Sequence, residues 1–121
     1  MAEIAHLCGN NLNIYSGNDD QVVPVLSLGG IGVISVLSHV LPEYTHNMVH
    51  NFLNDDIKKA TKMQLDVIPL CKALFSEVNP IPVKAALNIL GYNYGIPRLP
   101  LTKMSTEKEE ILKNEIAKFI K

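Results

Sequence analysis

Between Asp20 and Glu43 the chain runs for 22 residues without a single Asp, Glu, Lys or Arg. An uncharged run of that length is either a bilayer span or part of a protein core, and composition decides between them. The run contains Gln21, Pro24, Ser27, Ser35, Ser38 and His39, and Gly29, Gly30 and Gly32 break its middle. Hydropathy scales penalise polar, glycine-broken segments of this kind, so the core reading is adopted. It resolves into a short helix, a glycine turn and a buried strand. Val22, Val23, Val25, Leu26 and Leu28 form the helix, with Pro24 tolerated only near its first turn. Asp19 or Asp20 is expected to cap it, a carboxylate meeting free N–H groups at the positive end of the dipole. Gly32–Leu37 is apolar on both faces without alternation, as in strands of parallel sheets that are covered on both sides. Leu12–Tyr15, cut by Ser16-Gly17-Asn18, is the strand before it. Leu12–Val40 therefore predicts one strand–helix–strand unit with parallel strands.

The flanking sequence is helical. Ile4, Leu7 and Cys8 fall on one face of a helix that Gly9 ends. After Val40, Pro42 at a first-turn position opens a helix through Tyr44 to Leu53. Asn54-Asp55-Asp56 ends it and caps a long helix from Ile57 to about Leu74. Leu65, Ile68, Leu70 and Leu74 are its apolar stripes and Pro69 is a kink. Asn79-Pro80-Ile81-Pro82 reads as a rigid loop before a short helix, Val83–Leu90, that Gly91 stops. Gly95–Pro100 reads as extended. Thr106 with Glu109 predicts a capping box on a last helix reaching Ile120.

Composition excludes several classes. With 47% apolar and 19% charged residues the chain is not intrinsically disordered. A net charge of −1 argues against a phosphate-binding surface, so no nucleic-acid partner is expected. Two cysteines, Cys8 and Cys71, are too few for a disulfide framework. Met1–Cys8 lacks a basic run, so no signal peptide is expected, and the reading is a cytoplasmic chain with reduced thiols and no membrane partner. One imbalance remains. Two parallel strands do not make a stable sheet alone, and these want neighbours.

Four motifs stand in order: Tyr15-Ser16-Gly17-Asn18-Asp19, then Leu28-Gly29-Gly30 with Gly32-Val33-Ile34-Ser35-Val36, then Glu77-Val78-Asn79-Pro80-Ile81-Pro82-Val83-Lys84-Ala85-Ala86-Leu87, then Arg98-Leu99-Pro100-Leu101. With this spacing the chain closely resembles the C-terminal part of the dihydrodipicolinate synthase family, within the pyruvate-dependent aldolases, over essentially its whole length. The resemblance implies an α/β chain: the last two strands of a (β/α)8 barrel over residues 1–54, then an all-helical C-terminal domain over 55–121. A complete barrel takes about 250 residues, so roughly six strands are expected to lie outside this chain. The implied activity is a carbon–oxygen lyase that condenses pyruvate with L-aspartate 4-semialdehyde through a lysine Schiff base, in lysine (diaminopimelate) biosynthesis. The family's Schiff-base lysine and tyrosine relay belong to earlier strands, and no residue here matches either. No catalytic residue, metal or cofactor is therefore assigned. What carries over is substrate contact: Ile34 through its main chain at the pyruvate carboxylate end, and Gly17 and Asn18 at the end of the preceding strand.

Other side chains invite chemistry and are read as structural. Lys84 could suggest a Schiff base, but an exposed or loop-pairing lysine is the ordinary state at its position. Lys72 is read likewise. His46 and His50 have the i, i+4 spacing of a helical metal pair but lack a third ligand at a motif spacing, so they are placed on a solvated face. His39 is assigned to the rim. Asp20 is read as turn and cap, while Asn18 and Asp19 stay open as groups facing the site. Cys8, Cys71, Met48, Met63 and Met104 are read as apolar packing. Two functional readings follow. One is the C-terminal portion of a lyase, inactive by itself and tetrameric in its complete form. The other is a non-catalytic module that docks on a complementary barrel half or another chain.

Overall fold

The computed structural model describes residues 1–120. Helix α1 (Ala2–Cys8) ends at Gly9, whose φ of 49° lies in the left-handed region that glycine occupies at little cost. Strand β1 (Tyr15–Ser16) and strand β2 (Gly32–Val33) pair in parallel, Tyr15 with Gly32 and Ser16 with Val33. Helix α2 (Val22–Ser27) makes the crossover between them. Four helices complete the chain: α3 (Pro42–Leu53), α4 (Ile57–Leu74), α5 (Ile81–Ile89) and α6 (Thr106–Ala117). The strand–helix–strand order with parallel strands is as the sequence predicts.

Both strands are shorter than predicted and end differently. The first runs over Tyr15–Ser16 instead of Leu12–Tyr15. The second stops at Val33, and Leu37–His39 forms a 3-10 turn instead of strand. Main-chain bonds outside the strands extend the pairing by one step each way, Ile31 N–H to Ile14 O at 2.9 Å and Ile34 N–H to Ser16 O at 2.8 Å. Gly30 is required where β2 begins. A Cβ there would lie 2.7 Å from the Val25 carbonyl oxygen, a distance that backbone cannot relieve without shifting. Helix α2 thus turns tightly onto β2.

Two apolar clusters hold these elements together. One unites Leu37, Val40 and Leu41 with Val67, Leu70, Leu74, Ile81, Leu112 and Ile116 of the later helices. The other unites Val22, Val23 and Leu26 with Met48 and Ala60. Both run across position 54, so the strand–helix–strand segment and the helices share their packing. Burying a leucine or valine side chain is worth about 1.5–3 kcal/mol, and residues such as Leu70 and Val67 are fully buried here.

Other expectations need correction. Helix α5 begins at Ile81, with Pro82 in its first turn, because proline lacks only an N–H that the first turn leaves free. Helix α6 has Ser105 as its N-cap, and the capping box does not form. The Ser105 hydroxyl donates to Glu77 Oε1 (2.8 Å), while Glu109 pairs with Lys103 at 3.4 Å. On α4 the buried stripe is Ala60, Gln64, Val67, Leu70, Cys71 and Leu74, and Leu65 is 65% exposed. Pro69 lies inside an unbroken α4. Asp56 caps α4 as expected, its Oδ1 accepting from Lys59 N–H at 3.2 Å. Helix α1 buries no residue. No helix among the described residues is long and apolar enough to cross a membrane.

Candidate functional site

The paired strands end together. Ser16 faces Val33 in register, so Gly17 and Ile34 leave the sheet side by side, with Asn18 one residue further. The Ser16 side chain is buried and turns the loop. Its Oγ–H donates to Asn18 O (2.7 Å), and Asn18 N–H donates back to Ser16 Oγ (3.2 Å). Gly17, Asn18 and Ile34 are all exposed, Ile34 at 73%. Ile34 N–H is committed to Ser16 O, so main-chain contact from Ile34 to a ligand can run only through its carbonyl. A carbonyl accepts from a donor and cannot hydrogen-bond an ionised carboxylate.

Asp19 fixes this edge, and not as the cap of α2. Its side chain is 2% exposed and turns toward the loop after β2. It accepts from Ser35 Oγ–H (2.5 Å), Val36 N–H (2.9 Å) and Leu37 N–H (2.9 Å). Those N–H groups open the Leu37–His39 turn, so the carboxylate caps an element 17 and 18 residues away. No side chain caps α2. Three donors satisfy a buried charge that would otherwise be costly to desolvate.

Gln64 braces the same loop from α4, and the sequence reading passed over it. Its Nε2–H donates to Asp19 O (3.0 Å) and its Oε1 accepts from Val23 N–H (3.0 Å), both buried. The signal was available, since Gln64 is the one polar residue in an otherwise apolar stripe at helical spacing. Such a residue is kept only where its amide is satisfied.

A pocket of about 380 Å³ opens between this loop and α4, lined by Asn18, Asp19, Asp20, Cys71, Lys72 and Phe75. Cys71 is buried in its floor, and burial first, then the nearby Asp19 and Asp20, push its thiol up to about 12. It stays protonated and is no nucleophile at neutral pH. A second groove of about 310 Å³ runs along β2, between Tyr15, Val33 and the His46–His50 face of α3. Gly17 and Ile34 line neither.

The remaining candidates fall where ordinary packing puts them. Lys84 Nζ–H donates to Ile96 O at 3.0 Å, a loop-pairing lysine. His46 and His50 are exposed and stack on each other with ring centroids 4.0 Å apart. Among the described residues no group of three or more potential ligands could hold a metal ion. His39 is exposed, its Nδ1 3.2 Å from Val36 O. Met48 and Met104 are buried, Met63 is partly buried, and Cys8 is half-buried on α1.

The arrangement is a partial α/β fold, two parallel strands joined by a helical crossover and followed by packed helices. Comparison with known proteins specifies it further. The family model described as "Dihydrodipicolinate synthetase family" matches residues 1–119, and the chain belongs to this family. The chain is 58% identical over 119 residues to the 4-hydroxy-tetrahydrodipicolinate synthase of Caldicellulosiruptor bescii, covering 98% of this chain and 40% of that protein. It is 54% identical over 119 residues to the same synthase of Thermoanaerobacter sp., with the same coverage. Among solved structures, dihydrodipicolinate synthase from Aquifex aeolicus superposes with a TM-score of 0.92 at 37% identity, over 98% of this chain and 40% of that one. The Thermotoga maritima enzyme superposes with a TM-score of 0.90 at 37% identity, over 96% and 39%. The chain therefore spans about 40% of the length of the curated relatives it matches.

Proposed function

We propose that this chain supplies the C-terminal portion of a 4-hydroxy-tetrahydrodipicolinate synthase, the lyase that condenses pyruvate with L-aspartate 4-semialdehyde. In this reading residues 1–54 provide the last strand–helix units of the barrel and 55–121 the helical domain that braces them. The observation that carries it is the family match over residues 1–119. The strand ends support it, because barrel enzymes hold substrate at the C-terminal ends of their strands, where Gly17, Asn18 and Ile34 stand. Gly17 and Asn18 form the substrate-facing loop, and Ile34 offers its carbonyl. The Schiff-base lysine comes from the remainder of the barrel, so the chain alone does not catalyse the condensation. It works in the cytoplasm, and the complete enzyme is a homo-oligomer, a tetramer as the resemblance implies.

A second reading, a non-catalytic docking module, draws on one observation. Tyr15, Ile31 and Ile34 are exposed beside a sheet of two strands. The two readings separate in one experiment. The chain is co-expressed with the portion of the Caldicellulosiruptor bescii synthase that precedes the matched segment, and lyase activity is measured on the co-purified complex. Activity in the complex, with none in either part, supports the lyase reading. A stable complex without activity favours the docking module, and absence of any complex defeats the lyase reading and leaves docking only on another chain.

A further inference from the structure

Helix α3 carries two imidazoles side by side at the surface. His46 and His50 are both exposed, and their rings stack with centroids 4.0 Å apart and 29° between the planes. The spacing produces the stack, because side chains four residues apart lie one above the other on a helix. Among the described residues only the His39 ring is hydrogen-bonded, so neither ring of the pair has its nitrogens taken up by the protein. The setting favours a cation. Glu43, one turn before His46, is the charged side chain of α3, and the helix bears no Lys or Arg. The groove of about 310 Å³ beside the pair is lined otherwise by neutral residues, Tyr15, Ser35, Ser38 and Thr45 among them.

We propose that His46 and His50 form a two-point site for a divalent transition-metal ion, with water completing its coordination. A bond of about 2 Å from the metal to each imidazole sets adjacent ligating nitrogens about 3 Å apart. Two rings already side by side reach that separation by side-chain rotation, with no change of backbone. A closed zinc site takes four protein ligands, and the described residues offer no group of even three, so the site is open and two-coordinate from the protein. Ligand chemistry sets its selectivity. Imidazole suits Cu²⁺, Ni²⁺ and Zn²⁺, with Cu²⁺ held most tightly, whereas Mg²⁺ and Ca²⁺ take oxygen ligands and are passed over. The second imidazole acts as a tethered ligand, worth about 100-fold over a single histidine. The site uses none of Gly17, Asn18 or Ile34, and it stands or falls independently of the lyase reading.

The test titrates Cu²⁺ into the 15N-labelled 121-residue chain and reads the paramagnetic broadening of its backbone amides. The expected result is saturable broadening at one equivalent, centred on the turn from His46 to His50, with Ni²⁺ and Zn²⁺ competing at higher concentration and Mg²⁺ without effect. His46→Gln and His50→Gln should each weaken binding about 100-fold. A third variant keeps two histidines but separates them. Asn47→His with His50→Gln sets them about 100° apart around the helix and should bind like a single histidine. All three positions are exposed, so the variants should fold, and far-ultraviolet circular dichroism checks that they do. Replacing exposed His6 and His39 with Gln should leave the broadening on α3 unchanged. No saturable broadening, broadening centred on His6, single variants that bind as tightly as the unmodified chain, or a separated pair that does so would overturn the proposal.

Discussion

Replacing Asp19 tests how the strand ends are held. In Asp19→Ala, Val36 and Leu37 N–H lose their acceptor where water cannot easily replace it, and Ser35 loses its partner. Each buried donor left unsatisfied costs about 1–3 kcal/mol, so the variant should lose about 3–5 kcal/mol. A chain of this length is stabilised by about 6–18 kcal/mol, which makes the loss a large fraction of the total. Asp19→Asn keeps the shape but presents an NH2 where one oxygen accepted, and should lose about 2–3 kcal/mol. Ser35→Ala leaves both main-chain bonds to Asp19 intact but removes the hydroxyl that accepts from Ser38 N–H, and should lose about 1–2 kcal/mol. Urea unfolding followed by far-ultraviolet circular dichroism measures all three. With a slope of about 2 kcal/mol per molar, the midpoint of Asp19→Ala should fall by about 2 M. Amide exchange should accelerate at Val36 and Leu37 before it does in α4. A midpoint for Asp19→Ala within the scatter of the unmodified chain would refute the capping argument.

Three further outcomes are expected. The Ser105 hydroxyl and N–H hold Glu77, and chiefly through them its carboxyl is kept below the usual range, with Lys108 adding a smaller share. The ionised group therefore supports α6 at neutral pH, and that support disappears as pH falls through its lowered value. The melting temperature of Glu77→Gln should lie below that of the unmodified chain at pH 7 and converge with it in acid, whereas a constant gap would contradict the assignment. Cys71, buried and pushed up to about 12, should resist alkylation of the folded chain at pH 8, while half-buried Cys8 accepts the reagent. Intact mass should then show one adduct, and two would contradict the burial. Ile34, 73% exposed beside an open two-stranded sheet, should promote self-association. Ile34→Lys should lower concentration-dependent light scattering, and unchanged scattering would place the sticky surface elsewhere.

What the sequence made legible was local. Gly9, Pro42 and Asp56 each act within one turn, and each does what its residue type suggests. Three of the misreadings come from contacts distant in sequence. Gly32–Leu37 has a strand's composition, but Asp19 captures Val36 and Leu37 N–H and bends the chain into a 3-10 turn. Thr106 and Glu109 have the spacing of a capping box, but Ser105 precedes them and is bonded to Glu77, 28 residues earlier. Leu65 fits an apolar stripe by type, yet the buried stripe passes through Gln64 instead, because that amide answers two main-chain groups of the loop after β1. The proposed site residues Gly17, Asn18 and Ile34 came from resemblance. Register alone accounts for Gly17 and Ile34 leaving the sheet together. The pocket with Asp20 and Lys72 joins segments some fifty residues apart, and no spacing rule could have placed them together.

In the proposed function this chain bears the strand ends and helical brace of a lyase but not its reactive amine. Borohydride reduction in the presence of pyruvate, with intact mass and peptide mapping, tests it most directly. The chain alone should remain unmodified. In the complex with the preceding portion of a relative, the reduced pyruvate adduct should map entirely to that partner. A stoichiometric adduct on a lysine of this chain, Lys84 or Lys72 included, would contradict the account.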